Sequence, residues 1–408
     1  MRLNIIIIGD EILLGRVTDT NSGLIARTFA PSGWETGSVR TVGDDREAIA
    51  RAVADALDDA DLVVTTGGLG PTRDDITKGV LTDCFGGELR FDSAVMENVE
   101  AIFRERGIAM NKLTGTQAMV PSSCRVIQNR FGTAPVMWFE KDGKVLVAMP
   151  GVPFETRGML PEVAAQVQTH FHPVQRFHRT EFTLTGISES ALAEQLAAYE
   201  DSLPEGCHLA YLPSPGIIVL RLDAADMDAA DFGRYKDALS ERIQDYLAGE
   251  GTLDPAGIVL ASLRRRGLTL ATAESCTGGN IARLITSVAG CSDVFRGSVV
   301  SYCNEVKSSV LGVPDSILES VGAVSEQTVR AMAEGVRRVC DADCAVATSG
   351  IAGPGGAVPG KPVGTVWIAA STPEGTTARL FHIGGDRKAV VDGASARALL
   401  LLDSVLKS

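Results

Sequence analysis

Residues 271–285, ATAESCTGGNIARLI, place three polar side chains where a predicted buried strand turns into a predicted helix. A small-residue turn of this kind points backbone N–H groups into one space, which favours a phosphate or a developing oxyanion. The alternative is that Ser275 or Thr277 only caps the helix, while Gly278 and Gly279 allow close packing. The GxSxG motif of the α/β-hydrolase nucleophile elbow is absent.

Two further polar loops follow predicted strands. SYCNEVKSSVLGV, residues 301–313, carries Tyr302, Asn304 and Lys307, and SGIAGPGG, residues 349–356, carries Ser349, Gly350 and Gly353. Ligands of parallel α/β sheets bind at the carboxyl ends of strands, so the three loops together predict one site. The alternative for each loop on its own is purely structural: its glycines form turns, and a single lysine is usually a solvated surface charge.

Composition and charge limit the class of protein. The chain has 408 residues, 45% of them hydrophobic and 22% charged, which predicts two or three soluble globular domains. A net charge of −13 argues against a nucleic-acid-binding surface but allows small anionic ligands. The eight cysteines and five histidines lack metal-ligand or disulfide spacing. With no signal peptide and no membrane-length apolar run, we expect a cytoplasmic protein that contacts no membrane.

Strand and helix patterns alternate at both ends of the chain. LNIIIIG, DLVVTT and VLVAMPG predict buried strands, and REAIARAVADAL predicts a helix. We therefore expect two three-layer α/β domains with mostly parallel sheets, joined by a small α+β domain. The predicted bounds are 1–171, 172–250 and 251–408, with a linker at GEGTLDPAG, residues 249–257.

The middle region differs from both ends of the chain in its pattern of predicted strands and helices and in its charge. EFTLTG and GIIVLRL predict strands, while SESALAEQLAAYE and FGRYKDALSERIQDYLAG predict helices. Six Lys/Arg, counted from Arg176, stand against thirteen Asp/Glu, a net charge of −7. The region has no GxxG loop, so we expect a spacer or dimerisation element rather than an RNA-binding domain.

A glycine-rich loop follows the strand DLVV near the N-terminus. In TTGGLGPTRDDIT, residues 65–77, Gly67, Gly68 and Gly70 allow close backbone approach. Thr72 is predicted to cap a helix whose first turn contains Asp74 and Asp75. The functional alternative is that these carboxylates bind a metal or a polar ligand held in the loop.

AESCTGG, YCNEVK, SGIAGPGG and GKPVGTVW resemble the nicotinamide-nucleotide amidase family over most of residues 255–408. The resemblance implies hydrolysis of nicotinamide mononucleotide without a cofactor. It further implies Ser275 as nucleophile, Lys307 as its base, Tyr302 nearby and Arg387 as a ligand-binding arginine. The remaining expected substrate contacts are Thr277, Gly278, Gly279, Asn304, Ser349, Gly350 and Gly353.

The chemistry of an amide hydrolase agrees with this resemblance. Serine needs a base, and lysine serves once desolvation or a nearby positive charge lowers its pKa. Cys276 is the rival nucleophile, because thiolates are intrinsically stronger, but no histidine lies within these four motifs.

The N-terminal loops resemble the molybdopterin-binding-like domain of the CinA family, which extends the resemblance to the whole chain. It implies a KH-like middle domain and metal-dependent hydrolysis of ADP-ribose to AMP and ribose 5-phosphate. Expected ligand contacts are Asn21, Gly67, Gly68, Gly70 and Thr72, with Asp44, Asp74, Asp75 and Glu155 as carboxylates for Mg, Mn or Co. Asp10 departs from the Thr or Ser usual in the family, and would either weaken anion binding or add a metal ligand.

The expected protein is a homodimeric hydrolase of pyridine-nucleotide breakdown products that binds no nucleic acid. One alternative is a regulatory protein linked to competence or DNA damage, with decayed catalytic sites. The other is a molybdopterin-handling protein that does not hydrolyse ADP-ribose.

Overall fold

Every residue from Leu3 to Ile8 is buried, because the first strand is covered on both faces. Leu3, Ile5 and Ile7 pack into one cluster, while Ile6 and Ile8 pack into the cluster on the opposite face. A continuous apolar run is thus typical of a central strand. The computed structural model describes residues 1–171 and 177–407. The boundary predicted at 171/172 and Arg176 of the predicted charge count lie outside these residues.

The described chain divides into two units, the first holding residues 1–171, 177–178 and 224–229. Its strands are β1 Arg2–Ile8, β2 Glu35–Val42, β3 Leu62–Thr66, β4 Leu89–Phe91, β5 Met119–Pro121, β6 Arg125–Ile127, β7 Val136–Lys141 and β8 Lys144–Met149. Its helices are α1 Asp10–Leu13, α2 Asn21–Phe29, α3 Arg46–Asp59, α4 Thr77–Phe85, α5 Ser93–Glu105, α6 Lys112–Gly115 and α7 Pro153–Phe171, with 3-10 turns at Ala30–Ser32 and Thr116–Ala118.

The main sheet of this unit has the order β2-β1-β3-β8-β7-β6. Strands β2, β1, β3 and β8 are parallel, and β7 and β6 continue the sheet in antiparallel fashion. Helices α3, α4 and α5 cover one face, and α2 and α7 cover the other. The carboxyl ends of the parallel strands therefore share one edge of the sheet.

The second unit holds most of the middle region and the C-terminal region, residues 179–223 and 230–407. The strands of these two regions are β9 His178–Thr185, β10 Cys207–Ser214, β11 Ile217–Ala224, β12 Leu247–Glu250, β13 Leu270–Glu274, β14 Phe295–Val300, β15 Cys344–Gly350, β16 Thr365–Thr372 and β17 Gly375–His382. Their helices are α8 Glu189–Glu200, α9 Ala229–Ile243, α10 Pro255–Arg266, α11 Asn280–Thr286, α12 Asn304–Ser309, α13 Asp315–Ser320, α14 Glu326–Val339 and α15 Arg387–Lys407, with a 3-10 turn at Cys291–Asp293.

The C-terminal sheet has the order β14-β13-β15-β16-β17. Strands β14, β13 and β15 are parallel, and β16 and β17 form an antiparallel hairpin beside them. Helices α10, α11 and α15 cover one face, and α14 covers the other. The loops that follow the three parallel strands consequently meet at one edge.

The middle region forms a four-stranded sheet, β10-β11-β9-β12, with helices α8 and α9. The predicted helix over residues 232–249 is wrong at its end, since α9 stops at Ile243 and Leu247–Glu250 is a strand. That strand pairs antiparallel with β9, a tertiary contact that overrides local helix preference. The α/β class with a small α+β middle region is confirmed.

Candidate functional site

The loops after β13, β14 and β15 line one cavity of about 230 Å³. All three polar loops singled out in the sequence contribute to it, as parallel strands require. Its lining consists of Ser275, Cys276, Tyr302, Asn304, Lys307, Ala323, Val324, Ser349, Gly350, Ala352 and Arg387.

Lys307 and Ser275 form the polar centre of this cavity. Lys307 Nζ lies 3.1 Å from Ser275 Oγ, 2.7 Å from the Ser301 carbonyl and 3.4 Å from the Tyr302 carbonyl. The lysine is 1% exposed and the serine 9%. Burial lowers the pKa of Lys307 from its ordinary value, since desolvation disfavours the ammonium form.

Cys276 differs from its neighbour in environment. Its side chain packs in the apolar cluster beneath the sheet. Burial raises the pKa of Cys276 to about 12, so the thiolate needed for attack is disfavoured near neutrality. The geometry therefore favours Ser275 over Cys276 as the nucleophile.

Glu274, which the sequence analysis did not single out, occupies the start of α11. Its fully buried carboxylate accepts the N–H groups of Gly279 at 2.9 Å, Ile281 at 3.0 Å and Ala282 at 2.8 Å. The Gly278 N–H donates to the Ser275 carbonyl at 3.2 Å. The predicted role of the Gly278 and Gly279 N–H groups toward substrate is thus corrected, because both are engaged within the chain. The helix begins at Asn280, with Gly279 as its N-cap residue.

The other predicted residues of this half surround the cavity at different depths. Arg387, exposed at the mouth, donates to the Gly353 carbonyl at 2.7 Å and to the Tyr302 hydroxyl at 3.0 Å. Ser349 is buried and donates to the Ala323 carbonyl at 2.6 Å. The hydroxyls of Thr277 and Thr348 lie 2.8 Å apart. Gly350 and the exposed Asn304 line the cavity, whereas Thr277, Gly278, Gly279 and Gly353 do not.

A second cavity, of about 500 Å³, lies in the first unit at the carboxyl ends of β1, β3 and β8. It brings together predicted residues from four loops: Asn21, Asp44, Gly67, Gly68, Gly70, Asp74, Asp75 and Glu155. Thr72 and Asp10 do not line it. Six carboxylates line the cavity, and no Lys, Arg or His is among its described lining residues: Glu11, Asp19, Asp44, Asp74, Asp75 and Glu155.

Asp75 organises the glycine-rich loop. Its carboxylate accepts the Gly70 N–H at 2.8 Å, the Thr72 N–H at 2.9 Å and the Thr72 hydroxyl at 2.5 Å. The predicted helix start at Thr72 is therefore wrong, since α4 begins at Thr77. Residues 72–75 form a turn that the Asp75 side chain closes, an alternative to helix that short polar side chains favour.

The other acidic side chains are partly engaged as well. The Asp44 carboxylate accepts the Asp10 N–H at 3.0 Å, and Asp10 accepts the Asp44 N–H at 3.3 Å. Burial, followed by the nearby carboxylates, raises the pKa of Asp44. Burial likewise raises the pKa of Glu155, which accepts Asn129 Nδ2 at 2.6 Å.

The predicted metal ligands do not form a ready-made metal centre. In residues 1–171 and 177–407, no group of three or more His, Cys, Asp or Glu side chains is placed to hold a metal ion. The carboxylates that line the cavity come from separate loops, and several already accept N–H groups. Within the same residues, no helix is both long and apolar enough to cross a membrane.

Two residues of these sites carried weak signals in the sequence. Glu274 ends an apolar strand, and a lone acid before a helix usually suggests only a cap. Gln117 lies in a 3-10 turn outside the polar loops, yet it lines the second cavity and is 2% exposed. Only the tertiary fold brings each of these side chains to its site.

Three family models match the chain in succession. The model described as "Probable molybdopterin binding domain" matches residues 4–170. The "Damage-inducible protein CinA KH domain" model matches residues 179–250. The "CinA C-terminal domain" model matches residues 254–406.

Relatives match the chain over most of its length. The chain is 44% identical to a CinA-like protein of Cytophaga hutchinsonii, covering 90% of this chain and 88% of that one. It is 38% identical to a CinA-like protein of Flavobacterium psychrophilum, covering 100% and 99%. A CinA crystal structure from Thermoplasma acidophilum is 35% identical, covering 41% of this chain and 97% of that one, with a TM-score of 0.37. On the identity and coverage of the full-length relatives, the chain belongs to the CinA family.

Proposed function

We propose that the C-terminal region hydrolyses the carboxamide of nicotinamide mononucleotide, giving nicotinate mononucleotide and ammonia. The observation that carries the proposal is the 3.1 Å contact between Lys307 Nζ and Ser275 Oγ inside a cavity. A hydroxyl paired with a desolvated amine is a recognised nucleophile–base arrangement.

The two carbonyls beside Lys307 fix the orientation of its amino group. A neutral amine has two N–H donors and one lone pair. With its N–H groups on the Ser301 and Tyr302 carbonyls, its lone pair faces Ser275 Oγ. Since burial lowers the pKa of Lys307, this neutral form is reached at a lower pH than in water.

The reaction then follows from this geometry. Ser275 Oγ attacks the carboxamide carbon as its proton passes to Lys307 Nζ. The C–N bond breaks, and the same proton passes to the nitrogen, which leaves as ammonia. Water attacks the acyl-enzyme ester, giving its proton to Lys307, and the carboxylic acid leaves as Ser275 recovers a proton. The pyridinium charge of the substrate disfavours the ammonium form further.

Arg387 is the group we assign to the substrate phosphate. Its exposed guanidinium stands at the mouth, and within the described residues two of its five N–H donors have partners. Planar guanidinium groups suit phosphate geometry. The test is to compare nicotinamide mononucleotide with nicotinamide riboside, which lacks the phosphate. Formation of nicotinate products, measured by chromatography, should favour the nucleotide, and Arg387→Met should remove most of that preference. Equal turnover of both substrates would contradict the phosphate assignment.

We propose a second activity in the first unit, metal-dependent hydrolysis of the ADP-ribose pyrophosphate link. Its support is the second cavity, whose described lining residues include six carboxylates and no Lys, Arg or His. Such a lining would repel a free diphosphate, so a bound cation would be needed for the diphosphate to enter. Mg²⁺ is commonly held by one or two carboxylates together with substrate phosphates, so a full protein ligand set is not required. Bound there, the ion would neutralise charge on the diphosphate.

Phosphorus NMR of ADP-ribose mixed with the full chain tests this second activity. AMP and ribose 5-phosphate should appear with Mg²⁺ or Mn²⁺ and should be absent after chelation. Unchanged hydrolysis in the chelated sample would contradict metal dependence, and an intact diphosphate in both samples would contradict the activity.

A further inference from the structure

The side-chain amide of Gln117 is buried and faces the second cavity, the one of about 500 Å³, without using its N–H groups. It is 2% exposed, it lines the cavity, and its backbone and side-chain carbonyl oxygens both accept from Lys78 Nζ. In the part of the chain that the structure describes, Nε2 of Gln117 donates to no partner. Nε2 is open to the cavity, so its two N–H donors are available to water or to the acceptor oxygen of a ligand there.

Lys78 determines which way this amide points. Its Nζ donates to the Gln117 carbonyl at 2.9 Å and to Gln117 Oε1 at 3.1 Å, and the lysine is 8% exposed. An ammonium group only donates, so the side-chain oxygen of Gln117 faces Lys78. The Nε2 group is the part of the amide left for the cavity.

We propose that Gln117 is a ligand-binding residue that donates to a phosphate oxygen in this cavity, and that Lys78 is its positioning residue. The assignment rests on the proposed diphosphate-hydrolysing function for the identity of the ligand. Because the other cavity side chains include six carboxylates, a donor that carries no negative charge is what a phosphate oxygen requires.

Among the described residues Lys78 forms no salt bridge, and it does not line the cavity itself. Burial lowers the pKa of its amine to about 8, while the nearby Asp75 carboxylate favours the charged form. The charge of Lys78 polarises the amide and strengthens the Nε2 donors toward an anion. This arrangement places positive potential behind a cavity whose visible lining is acidic.

The test uses AMP as probe, since it carries one phosphate and has no pyrophosphate link to hydrolyse, and adenosine as its phosphate-free match. Binding to the full chain is measured by calorimetry with Mg²⁺ present. In Gln117→Glu, one carboxylate oxygen still accepts from Lys78 Nζ, but the second oxygen replaces the Nε2 donor with an acceptor that faces the phosphate. This variant should unfold at a temperature no lower than wild type, lose at least about 10-fold in AMP affinity, and leave adenosine affinity unchanged.

Lys78 is tested by substitution and rescue. Lys78→Met frees the amide to rotate and should weaken AMP binding about 3- to 10-fold, the range of one neutral hydrogen bond. Adding Lys78→Met to Gln117→Glu should cause no further loss, since the two residues act through one contact. Lys78→Arg, which also only donates, should recover most of the affinity. Gln166→Glu and Lys141→Met, at residues outside the cavity lining, serve as matched controls.

Unchanged AMP affinity in Gln117→Glu overturns the assignment, as does equal weakening of adenosine, which would place the amide against the nucleoside. Failure of wild type to bind AMP also overturns it. Failure of the proposed activity is seen separately, as AMP binding by a wild-type protein that leaves ADP-ribose intact.

Discussion

Lys307 Nζ lies 3.1 Å from Ser275 Oγ, although the two residues are 32 positions apart and both are buried. The parallel pairing of β13 with β14 allows this contact, since Ser275 directly follows β13 and Lys307 lies in α12, the helix after β14. The surrounding carbonyls hold the amine, and the cavity opens beside the hydroxyl. This relationship is the basis of the predictions for the C-terminal region.

Alanine substitution of each residue in turn should show whether Ser275 or Cys276 is the nucleophile. Ser275→Ala should lower amidase turnover by about 10³-fold or more, the scale on which catalytic hydroxyls act in other hydrolases. Cys276→Ala should keep most activity, because its thiol lies in the apolar cluster. Steady-state ammonia release measures both variants, and an inactive Cys276→Ala that remains folded would reverse the assignment.

Replacement of the base should test proton transfer directly. Lys307→Arg keeps a positive charge but stays protonated, so it should be nearly as inactive as Lys307→Met. In wild type, kcat/KM should rise with pH as the amine loses its proton, and should level off below the ordinary lysine pKa of 10.5. An arginine variant with wild-type turnover would limit Lys307 to holding the substrate.

The same lysine should make stability depend on pH. Because its pKa is lowered in the folded state, the folded chain binds fewer protons than the unfolded chain between that lowered pKa and 10.5. Wild type should therefore gain stability relative to Lys307→Met as pH rises through this window. Chemical denaturation at several pH values measures the difference, and a constant difference would indicate an unshifted lysine.

The Glu274 carboxylate should stabilise the turn that carries Ser275. Glu274→Gln retains the shape but places an amide group among three backbone N–H donors, leaving at least one unsatisfied. We expect a loss of about 2–3 kcal/mol in unfolding free energy, typical of an unsatisfied buried group, together with lower amidase turnover. Glu305→Gln, at an exposed position, is the control. Equal stability of the two variants would contradict the anchoring role.

A substitution at Asp75 should affect only the activity that we propose for the first unit. Asp75→Asn removes one acceptor from the loop contacts with Gly70 and Thr72, so ADP-ribose hydrolysis should fall strongly. Amidase turnover should stay unchanged, because all amidase motifs lie beyond residue 255. Parallel assays of both activities on one preparation check this, and a joint loss would show that the two activities are coupled.

Much of the fold could be predicted because its central strands are buried on both faces. LNIIIIG and CAVATS carry that signal directly. Strand β10 was not predicted, since it lies at a sheet edge and most of its residues are partly or fully exposed. A half-exposed edge strand has no continuous apolar pattern. The predicted domain bounds and the homodimer stay predictions.

The site was predictable to the extent that polar loops follow parallel strands. This pattern predicts that Ser275, Lys307 and Ser349 lie together, and all three line one cavity; their roles stay predictions. The N–H groups of Gly278 and Gly279 were assigned to substrate because a helix start attracts anions, but the chain supplies its own anion in Glu274. Which acceptor fills a helix start depends on distances of a few ångströms, and no sequence pattern encodes them.

The proposed amidase activity is tested most directly by ammonia release from nicotinamide mononucleotide, measured on the purified full chain. We expect one ammonia for each nicotinate mononucleotide formed, with both products lost in Ser275→Ala and in Lys307→Arg. If a folded wild-type protein releases no ammonia, or if folded Ser275→Ala releases it undiminished, the proposed activity is wrong.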